Sequence, residues 1–320
     1  MRGFATDPAA SAGVRLFDDL PEPAPAADEL VVEVRAYAIN RGELALIQQR
    51  TGAWRPGQDV AGLVVRGAEG GGGPPAGSRV VGLVDWHGWA ERVAVPVDCA
   101  VELPEDVSFE EAASLPIAGI TALRALRVAG PLAGRRVLVT GATGGVGHFA
   151  IQLAAGAGAH VTAYVSSDER AEFARALGAH DAITSLAEGG EGSEADAGGD
   201  AGGRGEPFDV VLDALGGTVL RDALHRMAPE GTAIGYGMVL GTTELSFVDF
   251  RSARNSRFVG LFHAHPPETR GDDLATLVRL VAEGRLRPHL GLIRDWEETP
   301  AALGALANRA VRGKAVLTRS

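Results

Sequence analysis

Residues 137–154, VLVTGATGGVGHFAIQLA, constrain this chain more than any other stretch, because they read as a buried strand, a glycine turn and a helix in immediate succession. Val137, Leu138 and Val139 form the short aliphatic run of a parallel strand covered on both faces. Thr140 to Gly145 is too rich in glycine for the interior of a strand or helix, so a tight turn follows. From Val146 the apolar residues Val146, Phe149, Ala150, Leu153 and Ala154 recur at helical spacing. The helix therefore directs its first N–H groups and its positive dipole end at whatever lies over the turn, and a pyrophosphate fits that position. Gly144 lets the backbone approach phosphates and Gly147 lets the helix pack closely on the strand, while the first glycine of the fingerprint is replaced by Ala142, giving AxGxxG. Ala142, Gly144, Gly145 and Val146 are the candidate phosphate-binding residues.

The flanks complete a βαβ unit, with a second strand over His160 to Val165 and a helix over Asp168 to Leu177. A site built for NAD ends that second strand with an acid, about 20 residues past the turn, to accept the ribose hydroxyls. Here the position is Val165. Ser166, Ser167 and Arg170 follow, supplying hydroxyls and a guanidinium where a 2′-phosphate would lie. Asp168 and Glu169 stand nearby, and pointing outward from the first helical turn they act as favourable N-terminal charges. The pattern favours NADPH over NADH, with a merely solvated Arg170 as the alternative.

A length of 320 residues suits two domains, and 46% hydrophobic with 5% aromatic residues is the composition of a soluble α/β protein. The net charge of −11 argues against nucleic acid or an anionic membrane as main partner, since both require a basic patch. No apolar run approaches the roughly 18 residues of a membrane span. The first residues, MRGFATDPAASAG, lack a signal-peptide pattern, so a cytoplasmic location is expected. The lone Cys99 excludes an intramolecular disulfide and a four-cysteine zinc lobe, and reads as a packing residue.

Residues 1–116 carry short alternating runs, Leu30 to Val34, Val60 to Val65, Val80 to Val84 and Ala90 to Val95, between Gly and Pro clusters, as in a β-rich domain. Over 117–265 strands alternate with helices. Arg136 to Thr140, His160 to Val165, Asp181 to Thr184, Val210 to Asp213, Thr232 to Gly235 and Phe258 to Leu261 read as six strands of a doubly wound α/β sheet. The remainder, with helices near Asp272 to Glu283 and Thr299 to Ala310 and a strand at Ala315 to Thr318, is too short to fold alone, so 266–320 should pack on the first domain. Residues 187–206 and 67–77 are Gly-rich and without apolar periodicity, and read as loop insertions without function.

With these features in place, separated segments resemble the zinc-independent medium-chain dehydrogenase/reductases, in particular the zeta-crystallin-like branch of NADPH:quinone oxidoreductases. They are VRAYAIN ending at Asn40, RTGAW from Arg50, PGQDVAGLV from Pro56, GWAERVAVP from Gly88, ELPEDVSFEEAASLP before Thr121, the GATGGVG turn, LGA at 177–179 and RGKAVL from Arg312. The resemblance runs from end to end and implies a Rossmann domain beside a GroES-like β-rich catalytic domain. It also makes Ala142 an ordinary variant.

In the family's zinc-dependent members Cys, His and a third Cys or acid hold the metal; the matching positions here are Asn40, Gln58 and Ile117, which do not form a zinc ligand set. Asp59 matches the family's structural acid, and His263 and His265 read as loop histidines. Without a Lewis acid, quinones and enones are easier acceptors than simple carbonyls, because the hydride's charge spreads to an oxygen that hydrogen-bond donors can stabilise. The resemblance thus implies hydride transfer from NADPH to a quinone or enone, with C4 of the nicotinamide facing a cleft between the domains.

It places Thr121 by the nicotinamide, with Leu261, Phe262 and His263 on the other side, and puts Leu215, Gly216, Gly235 and Tyr236 at strand ends that face ligands. Asn40 is either the donor that polarises the substrate oxygen or a buried turn-capping residue, and Lys314, the chain's only lysine, lies at the cofactor or substrate or in a charge pair. Departures from the family pattern, Ser185 and Trp54 for tyrosines and Arg41 beside Asn40, together with Trp86 and His87, suggest a pocket for an aromatic or polyketide-like molecule, with His87 as an acid. Three functions follow: a reductase of quinones or enones, a dedicated enoyl reductase of a secondary-metabolite pathway, and an NADPH-binding protein whose catalysis is lost or secondary. The family often pairs through the edge strand that Phe258 to Leu261 would form, so a homodimer is expected.

Overall fold

The computed structural model describes residues 1–50, 52–186, 206–250, 253–261 and 269–319. The chain divides into two units, Met1–Thr121 with Ala264–Ser320, and Ala122–His263.

The first unit opens with the antiparallel pair β1 (Gly3–Thr6) and β2 (Val14–Phe17). Its main sheet takes β3 (Glu29–Ile39), β4 (Asp59–Arg66), β5 (Arg79–Leu83), β6 (Arg92–Pro96) and β7 (Ala100–Glu102) from the first segment. The helices α1 (Arg41–Gln49), α2 (Phe109–Ala113) and α3 (Pro116–Ala129) follow β3 and β7. The eleven residues of β3 are nearly all buried, because the strand is covered on both faces, and they are rich in the β-branched and aromatic side chains that suit such a position. Tyr37 on this strand stacks on Trp89 at 5.8 Å, and both lie in the main core cluster with Phe4 and Leu30.

The second unit is the doubly wound sheet. It comprises β8 (Arg136–Val139), α4 (Gly147–Gly156), β9 (His160–Tyr164), α5 (Asp168–Ala176), β10 (Asp181–Ile183), β11 (Phe208–Asp213), α6 (Gly217–His225), β12 (Met227–Gly235) and β13 (Arg257–Gly260). All six strands are parallel in the order β10-β9-β8-β11-β12-β13, so the first strand is central and the connections reverse between β8 and β11. Ligands bind beyond the carboxyl ends of the strands at such a reversal. Val137, Leu138 and Val139 are fully buried, as a doubly covered central strand requires. The six expected strands are all present. β12 begins at Met227 rather than Thr232, because a register shift opposite Phe208 and Val210 absorbs residues 228–231, a feature that side-chain alternation does not reveal.

The chain then returns to the first unit with α7 (Arg270–Ala282), β14 (Leu290–Asp295), α8 (Thr299–Ala307) and β15 (Lys314–Thr318). β15 runs antiparallel along β3, sharing that edge with β6, and parallel to β14. Both helices and β15 match the sequence reading, whereas β14 lies at the sheet margin with most of its side chains partly exposed or exposed, and so lacks a strand pattern. Among the described residues no helix is long and apolar enough to cross a membrane. The calls on 187–206 fall, apart from Glu206, outside the described residues, as do Phe262, His263 and His265.

Candidate functional site

The glycine turn is built as its sterics demand. Gly141 opens it at φ +58°, and the Gly144 N–H closes on the Gly141 carbonyl at 2.9 Å. A Cβ on Gly147 would stand 2.4 Å from the Gly141 oxygen and 2.7 Å from the Ala142 Cα, so only glycine lets α4 begin against the turn. Ala142 is buried beneath it, and Gly145 and Val146 lead into the helix, whose first amides lack intrahelical acceptors. Such a cradle of close backbone and helix N-terminus fits a dinucleotide pyrophosphate.

The neighbouring strand ends are tied to this turn by two polar residues the sequence reading did not single out. The Thr140 hydroxyl donates to Asp213 Oδ1 at 2.6 Å and accepts the Ala214 N–H at 3.1 Å, while Asp213 Oδ2 accepts the Gly216 N–H at 2.8 Å. Burial raises the Asp213 carboxyl above its ordinary pKa. Next in line, the Tyr236 N–H donates to the Asp213 carbonyl and the Leu261 N–H to that of Gly235, both at 2.8 Å. Leu215, Gly235, Tyr236 and Leu261 are thus brought to one end of the sheet. The Tyr236 hydroxyl is buried and its pKa is raised by that burial. A signal for the missed pair existed: a threonine and an aspartate close otherwise aliphatic strands at corresponding positions.

At the end of β9, Val165 is buried and Ser166 to Glu169 are exposed. Ser167 caps α5 by accepting the Arg170 N–H at 3.4 Å. The Arg170 guanidinium reaches back to the Thr143 hydroxyl of the glycine turn at 2.5 Å, which places a fixed positive charge beside the candidate phosphate site.

In the first unit, the strand pairing assembles a buried polar cluster. Asn40 directly follows β3, and Asp59 and Lys314 begin the two strands that flank it, with Ala38 opposite Asp59 and Ile39 opposite Ala315. Lys314 Nζ donates to Asn40 Oδ1 at 2.6 Å and to Asp59 Oδ2 at 3.1 Å. Asn40 Nδ2 also donates to Asp59 Oδ2, at 3.0 Å, and the Ile117 N–H donates to Asp59 Oδ1 at 2.9 Å. Lys314 and Asp59 have side-chain exposures of 2% and 0%. Glu43 starts α1 reciprocally with Asn40, accepting its N–H at 2.7 Å. Burial, reinforced by the Asp59 charge against the amide of Asn40 and the Lys314 ammonium, pushes the Glu43 carboxyl up to about 8.

This geometry resolves several expectations. Of the two places open to Lys314, the structure gives the charge pair, and its ammonium is committed to Asn40 and Asp59 in the first unit, not to a cofactor phosphate. Asn40 is a turn residue whose side-chain oxygen is taken by Lys314, although one Nδ2 hydrogen lies beyond its bond to Asp59. Arg41 was expected at the substrate but turns to the C-terminal end of α8, donating to the Leu306 carbonyl at 2.8 Å, which relieves helix-end carbonyls lacking intrahelical partners. Thr121 donates to the Ile117 carbonyl within α3 at 2.6 Å. For zinc the donors do not fit: one amide is engaged, Gln58 offers another amide, Ile117 has no donor atom, and the Lys314 ammonium would repel a divalent cation.

The aromatic residues do meet. Trp54 and Trp86 form an edge-on pair with centroids 4.8 Å apart. His87 follows in the left-handed region at φ +78°, its N–H donating to the Arg55 carbonyl at 3.2 Å. Partial burial of its ring and the Arg55 charge lower the His87 pKa, which works against the acid role expected of it. Cys99 is buried and its thiol pKa raised by that burial.

Comparison with known proteins gives these sites a setting. A family model described as zinc-binding dehydrogenase matches residues 145–283. Quinone oxidoreductase-like protein 2 of Bos taurus is 30% identical over 269 residues, which are 82% of this chain and 76% of that protein. Spectinabilin polyketide synthase system protein NorB of Streptomyces orinoci is 33% identical over 321 residues, 97% of this chain but only 14% of that protein. The structure of the quinone oxidoreductase from Coxiella burnetii superposes with a TM-score of 0.83 at 26% identity, over 100% of this chain and 99% of that one.

Proposed function

The chain belongs to the medium-chain dehydrogenase/reductases, in their quinone oxidoreductase branch, and from that premise we propose that it transfers hydride from NADPH to a quinone or an α,β-unsaturated carbonyl without zinc. The observation that carries the reading is the Lys314 ammonium bound to Asn40 and Asp59, a buried cation on one of the three residues that match the zinc enzymes' ligand positions. Bound NADPH would supply the hydride. The chain's own residues would hold the pyrophosphate at Gly144, Gly145 and Val146 over the buried Ala142 and direct Arg170, with Ser166 and Ser167, to the 2′-phosphate. Thr121, Leu215, Gly235, Tyr236, Leu261 and Phe262 complete the proposed cofactor set. Lys314 and Asp59 hold the Asn40 amide in one orientation, so that its remaining Nδ2 hydrogen is the donor proposed for the oxygen on which negative charge develops.

A second reading is a dedicated enoyl reductase of polyketide type, favoured by the 33% identity to NorB across nearly the whole chain. We also propose a cytoplasmic homodimer formed along β13, where Phe258 is exposed. The test follows absorbance loss of NADPH and NADH over a panel of quinones, enones and enoyl thioesters. Oxidation of NADPH with quinones or enones supports the first reading, and turnover confined to enoyl thioesters the second. Arg170→Ala should raise the KM for NADPH about tenfold and leave that for NADH unchanged. A preference for NADH would overturn the cofactor assignment, and NADPH binding without turnover of any acceptor would leave a binding protein.

A further inference from the structure

Arg55 stands apart from the chain's other arginines near it. Its guanidinium is about half buried, its Nε is buried without a hydrogen-bond partner, and among the described residues no carboxylate lies within ion-pair reach of it. Burial lowers its pKa, as removal of a cation from water must. The acid closest to this segment along the neighbouring loop, Asp85, is taken by Arg270 at 3.0 Å. A partly desolvated cation with no counter-ion among the described residues is costly, and a bound anion would relieve that cost.

Its surroundings are shaped as well as charged. Residues 54–57 run beside 86–89, joined by backbone hydrogen bonds from His87 to Arg55, Gly88 to Gly57 and Trp89 to Pro56. That pairing sets Arg55 beside His87, whose pKa its charge lowers, while Trp54 and Trp86 form their edge-on pair from the same two segments, and it keeps His87 in a conformation that disfavours any residue with a Cβ. Arg50 adds a second cation, 5.9 Å over the Trp54 ring. Tryptophan rings and a rigid guanidinium with no counter-ion among the described residues, carried on the same two paired segments, suit a planar conjugated ring carrying a carboxylate.

We propose that Trp54, Trp86, His87 and Arg55 form a subsite for an aromatic acceptor bearing a carboxylate, with Arg55 taking the carboxylate. The proposal rests on the reductase reading for its place in turnover, yet binding can be measured without it. The probes are benzylideneacetone and its para-carboxylate, which carry the same enone and differ in an anionic group remote from it. Wild-type protein should show a KM for the carboxylate about tenfold below that for the neutral compound, with similar kcat. Arg55→Ala should abolish that difference by raising only the KM of the carboxylate, and Arg55→Lys should restore part of it. Equilibrium binding of both probes, read by quenching of tryptophan fluorescence, repeats the comparison without turnover. Equal affinity of wild-type protein for both probes, or an equal loss of both in Arg55→Ala, would overturn the subsite. Arg55-dependent binding of the carboxylate without reduction of either probe would keep the subsite and overturn the reductase reading.

Discussion

The glycine turn of the second unit and the polar cluster of the first are specified in opposite ways. The turn is a matter of backbone: Gly141, Gly144 and Gly147 lie within seven residues, and what they offer a ligand is amide groups and the absence of side chains. The cluster is a matter of side chains drawn from far apart, since Asn40 and Lys314 are separated by 274 residues and meet only because two strands flank β3. A backbone site persists as long as nothing is added to it, whereas a side-chain site can exchange one cation for another. Here the side chains of Asn40 and Asp59 hold a lysine ammonium between them.

That contrast predicts different failures. Lys314→Met should be the most damaging change to stability, about 3–5 kcal/mol by chemical denaturation, because it leaves Asp59 buried without its cation. Adding Asp59→Asn should recover part of the loss. NADPH binding by the folded fraction should stay within a few-fold of wild type; if it vanished, the two sites would not be separable.

Gly147→Val probes the other side. Its side chain would meet the Gly141 carbonyl and the Ala142 backbone, so NADPH affinity by calorimetry should fall on the order of 100-fold. An unchanged affinity would show that the turn is not the phosphate site.

A pH dependence is expected from Glu43 in the cluster. With its pKa raised from 4.5 to about 8, Glu43 binds its proton more tightly in the folded than in the unfolded chain. Its stabilising contribution is fully present below pH 4.5 and is lost as the pH rises through 8, by up to about 1.4 kcal/mol per pH unit. Glu43→Gln should flatten that slope in denaturation curves between pH 5 and 8, and an identical slope in wild type and variant would remove Glu43 as its source.

The same contrast explains what could be read from the sequence. The six strands of the doubly wound sheet, the AxGxxG turn and the lack of an acid at Val165 were all legible, because each depends on residues a few positions apart. The marginal strand β14 was not, since partial exposure leaves it without alternation, and neither was the early start of β12 across its register shift. At the sites, Arg170 was recognisable from its place after β9, but its reach to Thr143 was not. Arg41 looked like a substrate residue from its neighbour Asn40, while its guanidinium goes to a helix end 265 residues away. Lys314 had two readings until the pairing of β15 with β3 chose between them. Arg55 gave no sequence signal, because what distinguishes it, a half-buried guanidinium with no acid in reach among the described residues, depends on the fold.

The burial of Lys314 has a practical consequence. This chain contains one lysine, and it faces away from solvent at the start of an internal strand pairing. Acylating reagents, amine cross-linkers and lysine-directed ligases therefore find no lysine side chain on the folded protein. Modification at residue 314 can proceed only when β15 leaves the sheet, so its rate, read by mass spectrometry, counts opening events at the edge of β3 and turns the chain's one lysine into a clock for its own unfolding.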